Sequence, residues 1–224
     1  MSSTKRTTLA VGQKIRVTIE KVAHGGHFIA RYEGAVIFVR HAIPGEECDI
    51  EITGTGSSFN RADVVEVITA SEDRVTAPCR FAHREGCGGC DFQHISLPRQ
   101  RNLKSDVITE QFARIAKMDL QVEVEEVSAP LGWRTRCSAV TTKAGALGFY
   151  QARTHKIIPV DDCRILVPEI RYSELAQRGS KGELRIEISI SNTGERTIAT
   201  ANSRDESPLR MSDGPEIAHY TVGD

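Results

Sequence analysis

The sequence predicts a mainly β chain in two parts: an OB-like β-barrel over residues 11–69, then an α+β central domain over residues 70–202. Three observations carry that prediction. Apolar and polar residues alternate with a period of two through short, Gly-punctuated runs as far as Ile68. From Pro78 to His94, three cysteines crowd into a loop rich in Gly, His and Arg, and a helical pattern follows. Beyond Met118 strand patterns return, joined by hairpin signals.

In the first part, Ile15, Val17 and Ile19 alternate with Lys14, Arg16 and Thr18, the signature of a half-buried strand. Gly25-Gly26 turns the chain into His27–Tyr32, and Glu33-Gly34 turns it into Ala35–Arg40. Pro44-Gly45 precedes Glu47–Thr53, and Gly54–Ser58 leads to a last strand near Ala62–Ile68. Short strands with Gly-rich turns at this spacing suit a small closed barrel of the OB type; an SH3-like barrel gives a similar pattern. Residues 1–10 are expected to be a flexible N-terminus.

In the second part, Pro98 opens a helix to about Lys117, with Leu103, Val107, Ile108, Phe112 and Ile115 forming an apolar stripe and mostly basic residues elsewhere. Strands are expected at Val122–Val127, Arg134–Thr142, Ala146–Tyr150 and Lys156–Val160, with Ala144-Gly145 as a hairpin turn. A short helical stretch, Pro168–Gln177, leads to a second hairpin of Glu183–Ile190 and Arg196–Ala201. Residues 203–224 read as a polar tail.

Lys+Arg 29 against Asp+Glu 30 leaves a formal charge of −1, so the chain as a whole is no polycation. The charge is segregated, however. Lys14, Arg16, Arg31 and Arg40 lie in a stretch with few acids, and Arg134 and Arg136 lie in another. Segregation permits a basic surface on a neutral protein, and these six are the candidate contacts to a nucleic-acid phosphate backbone, the alternative being that they merely solvate strand faces. No apolar run approaches a membrane span, and no apolar segment follows the N-terminal Lys5-Arg6 as in a secretory signal. The expected compartment is the cytoplasm, with no membrane partner.

That compartment governs how the six cysteines are read. Cys79, Cys87 and Cys90 are spaced C-x7-C-x2-C, and a C-x-x-C turn aims two thiolates at one centre. Cys163 is the natural fourth ligand. Disulfides are disfavoured in a reducing compartment, and a thioredoxin-type C-x-x-C expects a βαβ context that the pattern lacks. Zinc, with His83 or His94 as further ligand candidates, and an iron–sulfur cluster both satisfy the spacing. Cys48 and Cys137 sit in strand patterns and read as small buried hydrophobes, Trp133 as a core anchor, and His24, His27 and His41 as surface histidines.

Cys87-Gly88-Gly89-Cys90-Asp91-Phe92-Gln93-His94, with Cys79 upstream and Asp162-Cys163-Arg164-Ile165-Leu166 downstream, resembles the iron–sulfur segment of the RNA uridine-C5 methyltransferases, which make 5-methyluridine in 23S rRNA and tRNA. The barrel, with Ile43-Pro44-Gly45-Glu46, looks like the TRAM domain that opens many members. Trp133-Arg134-Thr135-Arg136 and Gly148-Phe149-Tyr150 are similar to two family strands, and Gly214-Pro215-Glu216 and Tyr220–Gly223 to the lead-in to its catalytic domain.

The resemblance implies that Cys79, Cys87, Cys90 and Cys163 hold a 4Fe–4S cluster supporting fold and RNA contact. It implies S-adenosylmethionine as methyl donor, a catalytic cysteine that adds to C6 of a flipped uracil, and a carboxylate that removes the C5 proton. Departures from the family pattern accompany it. No Gly-rich strand-to-helix turn with an acidic ribose partner is found, so no S-adenosylmethionine site can be named, and neither the nucleophile nor the base has a counterpart. The expectation is an RNA-binding, cluster-bearing portion of an rRNA or tRNA methyltransferase with the Rossmann-like domain absent, served by a separate catalytic domain. The rivals are a free-standing RNA-binding protein and a zinc-stabilised structural module.

Overall fold

The computed structural model describes residues 7–180, 182, 184–202 and 210–213. The chain divides into two compact units, Met1–Arg84 with Cys90–Glu126, and Glu85–Gly89 with Val127–Asp224.

In the first unit, β1 (Lys14–Ala23), β2 (His27–Tyr32), β3 (Ala35–Arg40), β4 (Glu47–Gly54) and β5 (Asn60–Thr69) close into a barrel in the order β1-β2-β3-β5-β4. All the pairings are antiparallel except β3 with β5, so the barrel closes through one parallel seam. The alternation in sequence becomes alternation in space. Ile15, Val17 and Ile19 of β1, Phe28 and Ala30 of β2, and Ile37 and Val39 of β3 all point into the core. A bulge between Ile19 and Lys21 bends β1. There the Pro44-Gly45 turn plugs in: the Gly45 amide donates to Ile19 O at 2.8 Å, and the Ile19 amide donates to Glu46 O at 2.9 Å. Gly45, at φ +92°, takes a conformation that side chains resist.

The expected flexible N-terminus is corrected for the described residues 7–10. Leu9 is buried in the barrel core, and the Ala10 amide is held by the Gln13 side chain.

The helix is shorter than its apolar stripe suggested. α1 (Leu97–Gln111) ends in a π-turn over Phe112–Ala116, capped by Lys117 in the left-handed region. Leu103 is buried and Val107 packs on the barrel core, but Phe112 and Ile115 are exposed. The π-turn adds a residue per turn and rotates the end of the stripe away from the barrel. The strand expected at Val122–Val127 does not form. The Val124 amide is satisfied by Ser105 Oγ on α1, leaving no ladder to join.

The second unit is built on a six-stranded sheet. Its strands are β6 (Arg136–Thr141), β7 (Leu147–Tyr150), β8 (Ile157–Pro159), β9 (Leu184–Ile190), β10 (Arg196–Asn202) and β11 (Arg210–Asp213), in the order β11-β10-β9-β6-β7-β8. A 3-10 turn over Pro168–Ile170 precedes α2 (Tyr172–Arg178), with Arg171 left-handed between them. The hairpin at Ala144-Gly145 forms as expected, and so does the second hairpin, of β9 and β10. The tail read as polar loop instead supplies β11; the predicted lead-in segments, Gly214–Glu216 and Tyr220–Gly223, lie outside the described residues.

The continuous α+β central domain expected over 70–202 is therefore corrected. Residues 70–84 and 90–126 join the barrel, because the chain there is bonded to barrel strands and packs Ile95 and Leu103 into the barrel core. No described helix is long and apolar enough to cross a membrane.

Candidate functional site

The Ile43-Pro44-Gly45-Glu46 motif places a fully buried carboxylate at the foot of the cysteine loop. Glu46 is 0% exposed and meets Arg74 in a two-pronged pair, Nε to Oε1 at 2.6 Å and Nη2 to Oε2 at 2.7 Å. The amides of Ile43 (2.9 Å) and Ser71 (3.2 Å) donate to the same carboxylate, and Arg74 also donates to His41 O at 2.9 Å. A buried charge is tolerable only when so completely bonded. The Arg74–Ile95 bridge, with the Val75 amide on His94 O and the Ser96 amide on Asp73 O, pinches the loop shut at its base.

The return strand of the loop is tied to the barrel by three contacts. Phe92 stacks on core Phe28 at 5.7 Å, His94 Nε2 lies 3.0 Å from Ala42 O, and Arg40 Nη2 donates to Asp91 Oδ1 at 3.0 Å. This corrects the reading of Arg40 as an RNA contact. At 8% exposure it is a strut holding Asp91, beside Cys90 in the chain, and it does not face solvent. Arg16 is bound by Asp49 at 2.7 and 3.0 Å, and its guanidinium holds the Asp49 carboxyl below the usual range. Arg31 pairs with Glu20. Lys14, Arg134 and Arg136 are exposed.

His41, read as a surface residue, is half-buried with φ +63°, and its Nε2 is buried without a hydrogen-bond partner among the described residues. Burial, then the neighbouring charges of Arg40, His94, His83 and Arg74, lower its pKa to about 3. The unfolded chain takes up this proton near pH 6.5 and the folded chain does not. Stability is therefore fully present above 6.5 and falls as the pH drops from 6.5 toward 3. Urea titrations at pH 7 and 5 are expected to show that His41→Asn, which tolerates the backbone, loses less stability over this range than the parent. An equal loss would mean that His41 does not carry the dependence.

Of the four candidate ligands, Cys79 and Cys90 belong to the first unit, and Cys87 and Cys163 to the second. In the first unit, the Cys79 amide donates to Gln93 Oε1 at 3.1 Å, and Cys79 O accepts from the Ala82 amide at 3.0 Å. In the second unit, the Gly88 amide donates to Tyr150 O at 3.0 Å; a Cβ on Gly88 would lie 2.7 Å from the Ala152 backbone, so only glycine fits. Cys163 sits in a turn closed by the Leu166 amide, and residues 132–134 bond to Arg164 and Ile165 alongside it. Nearby, Tyr172 is buried with its hydroxyl lacking a hydrogen-bond partner among the described residues. Burial, then Cys137, Cys163 and Cys87, push its pKa up.

None of the six cysteines is in a disulfide. Among the described residues no three His, Cys, Asp or Glu side chains gather as a metal site. The donor chemistry, soft thiols beside an unsatisfied buried hydroxyl, nevertheless suits an iron–sulfur group. Cys48 and Cys137 are buried, and burial pushes both thiols up to about 12, so they remain protonated and inert as expected.

Trp133 is not a core anchor. It is 51% exposed, with the Arg134 guanidinium 5.9 Å from its ring centre. Sequence reasoning missed Arg74, Asp91 and Tyr172 as site residues. The only local signal was the Pro-Gly-Glu turn, which marks a buried acid without naming its partner.

A TRAM domain match covers residues 9–65. Over 77% of its length the chain is 39% identical to an uncharacterised RNA methyltransferase of Streptomyces avermitilis, spanning 43% of that protein. Over 70% of its length it is 34% identical to the 23S rRNA (uracil(1939)-C(5))-methyltransferase RlmD of Shewanella amazonensis, spanning 36% of it. The fold superposes, over 89% of the chain, on 46% of a Pyrococcus abyssi tRNA (uracil-54, C5)-methyltransferase solved with S-adenosyl-L-homocysteine, at a TM-score of 0.51 and 19% identity. The chain thus spans less than half the length of these relatives.

These matches correct the expected fold class. At 19% identity the likeness shows the fold alone: 89% of this chain follows 46% of the solved one, the N-terminal β-barrel is confirmed, and the expectation of an absent Rossmann-like domain does not stand, since the chain spans under half of these relatives. A motif missing from a span of under half a relative carries no information about the remainder. Each relative is a single chain named as a methyltransferase, which lends no support to a separate catalytic partner.

Proposed function

We infer that this chain, a member of the RNA uracil-C5 methyltransferase family, serves S-adenosylmethionine-dependent methylation of a uracil in rRNA or tRNA by binding the RNA. The observation that carries the reading is the TRAM match lying on a closed barrel of order β1-β2-β3-β5-β4, a fold whose outer surface takes oligonucleotides. Lys14, Arg134 and Arg136 offer exposed cations to phosphate, and Arg16 and Arg31 can exchange a carboxylate partner for one. No residue of this chain is assigned to S-adenosylmethionine or to the chemical step.

The second part of the reading is that Cys79, Cys87, Cys90 and Cys163 hold a 4Fe–4S cluster. Support comes from the donor chemistry, thiols being the ligands such a cluster takes, and from the buried Tyr172 hydroxyl, which has no hydrogen-bond partner among the described residues and feels the charges of Cys163 and Cys87. When bound, the cluster would cross-link the cysteine loop, and the methyl transfer needs no electron from it.

Two measurements test these parts separately. Anaerobically purified protein is expected to carry about four irons per chain; one zinc and no iron would overturn the cluster alone. Binding to an rRNA fragment is expected to weaken steeply with salt. Absence of binding at low salt by metal-loaded protein would overturn the RNA reading.

A further inference from the structure

The barrel carries an aromatic row on the face away from its core. Register places Ile29 of β2 opposite Phe38 of β3, and Phe38 opposite Arg61 of β5, so the three cross neighbouring strands in one line. Burial alternates about them: Phe28, Ala30, Ile37, Val39 and Ala62 are buried, Ile29 and Phe38 are half-buried, and Arg61 is exposed. Phe59, two residues before Arg61 and at the end of the β4–β5 connection, closes on the same line. Its ring meets Phe38 edge-to-face at 4.9 Å, and the Arg61 guanidinium lies 4.8 Å from its centre. His27 also meets Phe38 edge-to-face, at 6.3 Å. A cleft of about 350 Å³ opens beside Phe59, bounded by Val36 and by Thr55–Asn60 of the same connection.

Phe38 and Phe59 contribute nothing to the hydrophobic cluster inside the barrel. Two phenyl rings held rigid by each other and by a guanidinium, on an outward β-sheet face, have the chemistry that stacks bases. Each base offers a π-face, and the adjacent cation meets its phosphate. A duplex keeps its bases stacked on one another, whereas an unpaired strand can lay them on side chains.

We propose that Phe38, Phe59 and Arg61, with Ile29 beside them, form a stacking platform for unpaired bases of the RNA. The proposal rests on the reading of this chain as an RNA-binding protein and adds which face binds and in what form the RNA is held. Rings supply affinity, and Arg61 supplies the salt-sensitive contact.

The test uses the full chain and an oligouridylate of about 12 nucleotides, within the span one OB fold covers, alongside a duplex RNA of equal length. Phe59→Leu and Phe38→Leu are expected to weaken oligouridylate binding about tenfold each, with the slope of log K against log salt unchanged and duplex binding unaffected. Arg61→Ala is expected to lower that slope by about one. Phe59→Trp should retain binding, and circular dichroism melting controls for the fold.

Oligouridylate binding that both leucine variants leave intact overturns the platform but not the RNA reading. So does equal weakening for single strand and duplex. No binding of either RNA by the parent chain overturns both. Sedimentation of the chain as a dimer that Phe59→Leu dissolves would assign the face to a second copy and overturn the platform.

Discussion

Replacing Glu46 by alanine is expected to cost about 3–5 kcal/mol of folding stability, the largest single effect in the first unit. The variant leaves the Arg74 guanidinium, only 23% exposed, without its two-pronged partner, and strips the Ile43 and Ser71 amides of their acceptor. Each of those groups gave up water on folding, so its desolvation cost stands unopposed. Glu46→Gln keeps the shape and one acceptor oxygen and should lose less. The double variant Glu46→Leu, Arg74→Met should recover the part of the loss that comes from the orphaned guanidinium, while the Ile43 and Ser71 amides stay without an acceptor. Urea unfolding followed by circular dichroism reads all three. If the double variant is as unstable as Glu46→Ala, the amides that lose their acceptor, and not the orphaned charge, carry the loss. Because Arg74 also grips His41 O and anchors the base of the cysteine loop, Glu46→Ala should increase protease cleavage at Arg80 and Arg84.

In the second unit, Gly148→Ala is expected to destabilise by about 3 kcal/mol or more, the upper range for forcing atoms into a packed site. Gly148 pairs with Val140 on one side and Pro159 on the other, and a Cβ there would lie 2.0 Å from Ile158 O and 2.8 Å from Ile158 C. These are backbone atoms of β8, so no rotamer change relieves the clash, and β8 must leave the sheet. The Val160 amide would then lose its bond to Leu147 O, freeing the segment that leads to Cys163. Tryptic cleavage at Arg153 and Lys156 should accelerate, and iron content should fall with it. An unchanged digest would show that β8 shifts at little cost.

Much of the first unit was legible because its signals are local. A period of two with Gly turns announces half-buried strands, and each run from Lys14 to Ile68 lies near a strand of the barrel. Cys48 and Cys137 were recognisable as buried hydrophobes for the same reason: each sits at an inward position of an alternating run.

The errors share a cause. A charge or ring in sequence does not announce its partner when that partner is distant. Arg40 looked like a free cation among basic neighbours, but Asp91, which binds it, lies 51 residues away. Arg74 reaches back 28 residues to Glu46. Trp133 had the residue type of a core anchor, yet its segment bonds along Arg164 and Ile165 and leaves the ring exposed. Val122–Val127 had a strand's alternation but no strand beside it, since a ladder needs a neighbour as well as a pattern.

By itself, then, the sequence determined the barrel's strands and turns, the hairpins of the sheet and the inert cysteines, all carried by short-range periodicity; the family resemblance came separately, from the residues of the Cys87–His94 and Asp162–Leu166 motifs. Only the tertiary structure decided which cations are spent on carboxylates, that residues 90–126 belong with the barrel, and that Phe38, Phe59 and Arg61 meet on one face. Those outcomes depend on strand register and closure, which bring together residues far apart in the chain.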